Sequence, residues 1–222
     1  MSTYVLMRIL ESVPSRYDAG IRLLTLGKLN KAYTSLVSHI HEGDRVLDIG
    51  CGTGALTLLA AKQGAKVKGI DTNSGMLEIA QNRVAELKLK DRVELAEMGV
   101  AELSEEPSRF YDAVVSGLCF SELSEDERRY ALKEIRETLK AGGLLMIADE
   151  VVPATRWKRF LNAFLRTPLV LIAYVVSQSV THPVKNLLEI VTDSGFHLKS
   201  VHLSHLGNFL ELVAENTPGP QG

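Results

Sequence analysis

The stretch Arg45-Val-Leu-Asp-Ile-Gly-Cys-Gly-Thr-Gly-Ala-Leu-Thr57 decides the fold. A short apolar run leads into glycines at alternate positions, Gly50, Gly52 and Gly54, and then into a helix-forming sequence. A second short run, Val67-Lys-Gly-Ile70, ends on Asp71, roughly twenty residues further on. Strand, glycine turn, helix, strand and acid, in that order, describe a nucleotide-cofactor pocket at the carboxyl ends of a parallel sheet. Glycine there allows a tight turn and a close approach of backbone to ligand. An acid at the end of the second strand suits the two hydroxyls of a ribose.

Two cofactor classes fit the glycines. Read as Gly-x-Gly-x-x-Ala, ending on Ala55, the loop is compatible with a nicotinamide dinucleotide and hence with an oxidoreductase. Asp48, two residues before Gly50, argues against it. A carboxylate at the mouth of the loop repels a pyrophosphate, which wants bare N–H groups and a helix N-terminus. It suits a ligand bearing an ammonium and a sulfonium, as S-adenosylmethionine does. Position points the same way, because more than forty residues of mostly helical pattern precede the motif.

Val46-Leu-Asp-Ile-Gly-Cys-Gly-Thr-Gly54 resembles the first motif of the class I S-adenosylmethionine-dependent methyltransferases. Gly69-Ile-Asp-Thr-Asn-Ser-Gly-Met-Leu77 resembles their second-strand segment and Phe110-Tyr-Asp-Ala-Val-Val-Ser116 their fourth strand. Leu139-Lys-Ala-Gly-Gly-Leu-Leu-Met-Ile147 resembles the turn into the fifth strand, with Ala141 where the family usually has proline. The four segments occur in order across residues 44–150. Ser15-Arg-Tyr-Asp18 is similar to a Tyr-Asp pair of the quinone C-methyltransferase-like branch, in which the tyrosine lies over the methyl-donor end of the site. Ile9-Leu-Glu-Ser12, Arg16-Tyr-Asp18, Leu23-Leu-Thr-Leu-Gly27, Phe120-Ser-Glu-Leu-Ser124 and Ala148-Asp-Glu150 resemble the corrinoid protein-associated methyltransferases, which implies a corrinoid-bearing protein as partner.

The fold this implies is α/β: a three-layer, Rossmann-like sheet of seven mostly parallel strands, with helices on both faces and a helical insertion before the last two strands. Expected strands are 45–49, 66–70, 92–97, 111–116 and 143–148, then 196–203 and 209–214 around a Gly207-Asn208 turn. Expected helices cover 16–40, 54–63 closed by Gly64, 74–89 capped by Ser74, and 125–139 opened by a Ser124/Glu127 capping box. The organisation is one domain over 1–216. It comprises a helical cap (1–43), a cofactor core (44–150), an insertion (151–190) and C-terminal strands (191–216), with a disordered tail over 217–222.

The 222-residue chain is 45% hydrophobic and 23% charged, enough for one substantial core. A formal net charge of −2 supplies no field that favours nucleic acid. The two cysteines, Cys51 and Cys119, match no metal or redox spacing, which reads as a reduced, cytoplasmic setting without a metal. No signal peptide is read at the start, where Arg8 and Glu11 interrupt the apolar residues.

The resemblance assigns the methionine half of S-adenosylmethionine to backbone at Gly50, Cys51, Gly52 and Gly54, with Asp48 near its ammonium. It places Asp71 on the ribose, Thr72 and Met76 beside ribose and adenine, and Gly99, Val100 and Ser116 elsewhere in the pocket. Gly99 stands where the family usually has an acid for the adenine amino group, which leaves Glu97 or Glu102 as a substitute, or backbone contacts at Val100 in its place. Methyl transfer is an in-line displacement that depends chiefly on positioning, and a base is needed only when the acceptor loses a proton. Candidates for that chemistry are Tyr17, Glu122, Asp149, Glu150 and His182. Each also fits a plain structural role: a packing tyrosine, a solvated or capping carboxylate, a helix-start histidine.

In residues 155–183, Trp157, Phe160, Leu161, Phe164 and Leu165 recur at helical spacing. Thr167-Pro168 then leads into Leu169-Val-Leu-Ile-Ala-Tyr-Val-Val176, well short of the ~20 apolar residues of a membrane span. Three readings fit: a lid over an apolar acceptor, a homodimer or partner surface, and a helix lying on a membrane surface. A non-catalytic, cofactor-binding partner protein is the reading outside enzyme classes.

Overall fold

A computed structural model describes residues 28–152, 184–204 and 207–217 of the chain. Seven strands form one sheet in the order β3-β2-β1-β4-β5-β7-β6. They are β1 (Arg45–Ile49), β2 (Lys66–Asp71), β3 (Val93–Glu97), β4 (Tyr111–Gly117), β5 (Leu139–Glu150), β6 (Phe196–Leu203) and β7 (Phe209–Asn216). The first five pair in parallel, and β7 runs antiparallel between β5 and β6. The expected three-layer sheet is present, and its terminal strand is the one that reverses.

Alternate residues of the central strands feed two cores, as expected of a sheet covered on both faces. Leu47, Ile49, Val114, Leu145 and Ile147 face one layer, formed by helix α4 (Glu125–Thr138) and helix α5 (Leu187–Asp193). Val46, Ala113, Val115, Met146 and Ala148 face the other, formed by α1 (Lys28–Val37) and α2 (Ala55–Lys62). Helix α1 belongs to that layer because Leu29, Ala32, Tyr33, Leu36 and Val37 recur along one stripe, all buried. Helix α3 (Ser74–Glu86) lies against β2 and β3, and its Ala80 faces Gly54.

Several boundaries differ from the sequence expectation for identifiable reasons. Strand β5 begins at Leu139, not 143, because Leu139 pairs with Tyr111 before the register shifts and Leu144 takes up Ala113. The cap of α3 is Asn73, whose side chain accepts from the Met76 N–H; Ser74 is already helical. The Ser124/Glu127 box forms as read: Ser124 Oγ accepts from the Glu127 N–H at 3.3 Å and the Glu127 carboxylate accepts from the Ser124 N–H at 2.7 Å. Two elements carried no sequence signal that was recognised, a 3₁₀ turn at Val100–Glu105 and helix α5, which crosses the expected boundary at residue 190. The N-terminal part of the helical cap, residues 153–183 and the end of the tail lie outside the described residues.

The strand order reverses between β1 and β4, whose neighbours lie on opposite sides. In open α/β sheets this switch point leaves a crevice at the carboxyl ends of the strands. Ile49, Asp71, Gly117 and Glu150 mark that edge. Residues 151 and 184 form a parallel bridge there, through Val184 N–H to Glu150 C=O at 2.9 Å and Val152 N–H to Val184 C=O at 3.1 Å. Both ends of the insertion are thus tied to the edge that carries the crevice.

Candidate active site

The floor of the crevice is backbone. Gly50, Gly52 and Gly54 all have positive φ, at 70°, 53° and 79°, and the N–H groups of Gly50 and Cys51 both donate to the Ile70 carbonyl. The turn closes by a 2.9 Å bond from the Gly54 N–H to the Cys51 carbonyl before α2 starts. At Gly50 a side chain is excluded twice. Its φ disfavours L-residues, and a Cβ would stand 2.5 Å from the Cys119 Cβ and 2.7 Å from its sulfur. At Gly52, by contrast, nothing lies within 4 Å of a Cβ, so this glycine borders open space.

Asp71 braces that loop from the end of β2. Its Oδ2 accepts from the Gly52 N–H and its Oδ1 from the Asn73 N–H, both at 2.8 Å. A carboxylate offers about four lone-pair positions, so two such bonds leave capacity for further donors. Arg83 of α3 donates to the Thr53 carbonyl at 3.1 Å, holding the loop from outside.

Asp48 departs from its expected place at the loop mouth. It is 1% exposed, and its Oδ2 accepts from the Thr57 hydroxyl at 2.5 Å, so the acid lies beneath the loop. Burial pushes its pKa up to about 7 against the Thr57 hydrogen bonds, and the Asp71 charge adds to the rise. The Ser116 side chain is also fully buried and donates to the Ile49 carbonyl at 3.0 Å. Its hydroxyl ties β4 to β1 and does not line the crevice.

At the corner expected to take the adenine, Thr72 is exposed and Met76 is buried. A Cβ on Gly99 would stand 3.1 Å from the Thr72 side chain, and the Gly99 N–H donates to the Glu102 carboxylate at 2.9 Å. Val100 opens the 3₁₀ turn, and Glu97 points to solvent. Glu102 therefore brings an acid to the corner that Gly99 leaves without one, and its carboxylate is held by backbone.

The other wall is the loop after β4. Cys119 rests on Gly50, and Glu122 donates its N–H to the Cys119 carbonyl at 2.9 Å. Asp149, fully buried at the end of β5, accepts from the Ser121 N–H at 3.1 Å and the Glu150 N–H at 2.7 Å. Burial pushes Asp149 up to about 7 against those bonds, with the Glu150 charge adding to the rise. Burial also raises the Cys119 thiol, and the charges of Asp149, Glu122 and Asp71 raise it further. Burial and then the Asp48 and Asp71 charges do the same to Cys51. Neither thiol is a nucleophile in this setting.

Tyr17 and His182 lie outside the described residues. Asp48, Asp71, Glu122, Asp149 and Glu150 are brought to one edge of the sheet. The sequence reading missed Thr57 under Asp48, Cys119 on Gly50, and Arg128, which donates from α4 to the Phe120 and Leu123 carbonyls at 3.0 and 2.5 Å. All three are contacts between residues whose spacing has no local signature. Among the described residues no group of three His, Cys, Asp or Glu is placed to hold a metal, and no helix is long and apolar enough to cross a membrane.

The charge around the loop tests the cofactor. Every side-chain charge that shifts Asp48, Cys51, Cys119, Glu122 or Asp149 belongs to an acid or to the other cysteine. Such a pocket repels a pyrophosphate and attracts a cation, so the residues fit S-adenosylmethionine.

Comparison with known proteins agrees. Residues 46–143 match the family profile described as a methyltransferase domain. A demethylmenaquinone methyltransferase from Symbiobacterium thermophilum is 34% identical over 157 residues, 68% of this chain and 61% of that protein. A ubiquinone/menaquinone biosynthesis C-methyltransferase from Chromobacterium violaceum is 33% identical over 146 residues, 64% of this chain and 58% of that one. The chain thus spans about three fifths of the length of these relatives. A methyltransferase structure from Methanosarcina mazei superposes with a TM-score of 0.65 at 21% identity, covering 82% of this chain and 96% of that one. The [4+2]-cyclase SpnF superposes with a TM-score of 0.64, also at 21% identity, covering 84% and 81%. Sequence and topology together place the chain in the class I S-adenosylmethionine-dependent methyltransferase family.

Proposed function

We propose that this protein transfers a methyl group from S-adenosylmethionine to a small organic acceptor of the hydroquinone type. The observation that carries the donor half is the acidic surround of the glycine loop, in which the described charges reaching Cys51 and Cys119 are anionic. The hydroquinone half is supported by the quinone-biosynthesis relatives. When bound, S-adenosylmethionine supplies an electrophilic methyl group on a positively charged sulfur. The chain's own part is to hold and orient. Asp71 fixes Gly52 and keeps lone pairs for ribose hydroxyls, while the open side of Gly52 admits the ligand against backbone. The loop after β4 and the stems of the insertion border the acceptor side.

A corrinoid-bearing partner is the second acceptor class, supported by the similarity of the Phe120–Ser124 and Ala148–Glu150 segments to that group. The SpnF likeness shows that this fold also serves a cyclase, so the fold alone does not decide the chemistry.

Calorimetry with S-adenosylhomocysteine and with NADH separates the readings. Binding of the former alone is expected, and binding of NADH alone would overturn the proposal. Asp71→Ala removes an acceptor shared by two N–H groups and is expected to weaken S-adenosylhomocysteine at least ~10-fold. Unchanged affinity would take Asp71 out of the site.

A further inference from the structure

We propose that Glu122 is the proton acceptor of the site, a carboxylate across the crevice from the positive charge of the bound donor, neutralised by the proton that the methyl acceptor gives up. The inference rests on the methyl-transfer reading and narrows the substrate to one whose reacting atom carries, or is activated by loss of, an acidic proton: a hydroquinone, phenol or enol.

Placement is the first argument. Glu122 lies in the loop after β4, on the acceptor side of the strand-order switch, and its N–H is bonded to the carbonyl of Cys119, whose side chain lies on the Gly50 backbone. The loop that carries it is built to stay put. Asp149 accepts from the Ser121 N–H, and Arg128 donates to the carbonyls on either side of the turn, at Phe120 and Leu123. Leu118 opens the loop at φ 61°, a left-handed conformation that a leucine adopts only when its surroundings impose it.

Elimination among the neighbouring acids is the second. Asp48 and Asp149 are 1% and 0% exposed, enclosed away from any incoming acceptor. Asp71 is engaged with two N–H groups, and Glu150 is half-buried at the strand end that carries the Val151–Val184 bridge, beside the stems of the insertion. Glu122 is open to solvent at the rim, so an acceptor docked there reaches it.

Electrostatics is the third. Desolvation by the surrounding rim raises the Glu122 pKa, and the Asp71 charge raises it further. A charge on the Asp71 side of the crevice is therefore felt at Glu122, and a cation there acts with the opposite sign. The titratable groups acting on Glu122 are the Cys119 thiol from its own loop and Asp71 from β2, while Asp149 from β5 holds the loop through the Ser121 N–H. The Arg128 guanidinium from α4 is occupied with the two carbonyls.

The balance closes without another reactant. An electron pair of the acceptor atom forms the bond to the methyl carbon, the pair of the broken carbon–sulfur bond stays on sulfur, and the acceptor's proton passes to Glu122. Positive charge leaves sulfur as negative charge leaves Glu122, so the net charge of donor plus Glu122 is the same before and after.

The test counts protons. Binding enthalpies of the full chain are measured in buffers of different ionisation enthalpy, with sinefungin, which carries an ammonium at the transferred position, and with S-adenosylhomocysteine, which is neutral there. Scanned upward from the ordinary glutamate range near ~4.3, sinefungin is expected to release more protons than S-adenosylhomocysteine, by roughly half a proton at the maximum. Glu122→Gln is expected to abolish the difference and Glu122→Asp to keep it. An equal difference in Glu122→Gln, or none in the wild type, overturns the assignment. If neither ligand binds the wild type, the methyl-donor reading itself falls, and this inference with it.

Discussion

The two halves of the crevice are built on different principles. On the proposed donor side, at the ends of β1 and β2, the surface is backbone held by a carboxylate: Asp71 ties down Gly52 and Asn73, and Ile70 takes both N–H groups that open the turn. On the proposed acceptor side, at the ends of β4 and β5, the surface is a loop suspended from side chains, with Asp149 and Arg128 gripping its main chain. A backbone site admits few sequences and binds one ligand class. A side-chain-hung loop can change its contents while keeping its position, which suits the part of a methyltransferase that differs between substrates.

The donor side should break most sharply at Gly50. Gly50→Ala combines a left-handed backbone with overlap against Cys119 and is expected to cost about 2–4 kcal/mol in urea unfolding. Gly52→Ala has a similar φ and open space, so it should cost only about 1 kcal/mol. Adding Cys119→Gly should recover the overlap part in Gly50→Ala and nothing in Gly52→Ala, read as a coupling energy in a double-mutant cycle. Equal costs for the two glycines would mean that Cys119 does not shape the loop.

The acceptor side should show itself through pH. Asp149 has a folded-state pKa of about 7 against an ordinary value of 3.8, raised by burial, so between those values the folded protein holds a proton that the unfolded chain has lost. The sign follows: its contribution is most favourable below ~4 and disappears as pH rises towards ~7, a change of about 4 kcal/mol. Asp48 contributes a parallel fall for the same reason. Asp149→Asn is therefore expected to remove about half of this downward trend in unfolding free energy between pH 4 and 7. A slope identical to wild type would show that Asp149 is ionised throughout.

The same contrast explains what could be read in advance. The glycine loop, Asp71 and the Ser124/Glu127 box are local patterns, each confined to a few residues or one strand–turn–helix unit, and all three were legible. The strand order followed from the family likeness of four segments. Cys119 on Gly50, and Asp149 on Ser121 across 28 residues, exist only once the sheet has aligned β1, β4 and β5. Asp48 was legible as an acid at the loop but not as a buried one, because its partner Thr57 lies a turn into the next helix. The early start of β5 was hidden by Gly142-Gly143, which reads as a turn yet passes through as an irregularity in the ladder. The hydrophobic stretch 155–183, the sequence's strongest statement about the acceptor, lies outside the described residues.

The smallest effect separates the two roles of the residue after Thr72. Asn73 gives its backbone N–H to Asp71 and its side-chain oxygen to the Met76 N–H at 3.1 Å. Asn73→Ala keeps the first bond and removes the second, so it tests the cap while leaving the brace on Asp71 intact. An N-cap change of this kind costs about 1 kcal/mol, whereas Ser74→Ala, on an exposed first helical residue, should stay within about 0.5 kcal/mol. Helix α3 holds the loop through Ala80 beside Gly54 and Arg83 on the Thr53 carbonyl, both beyond its first turn. Fraying at Asn73 should therefore speed amide exchange at Met76 and leave S-adenosylhomocysteine affinity within about twofold. A large loss of affinity in Asn73→Ala would mean that the donor side is held by the helix start as much as by Asp71, and that its backbone is less self-sufficient than the contrast with the acceptor side requires.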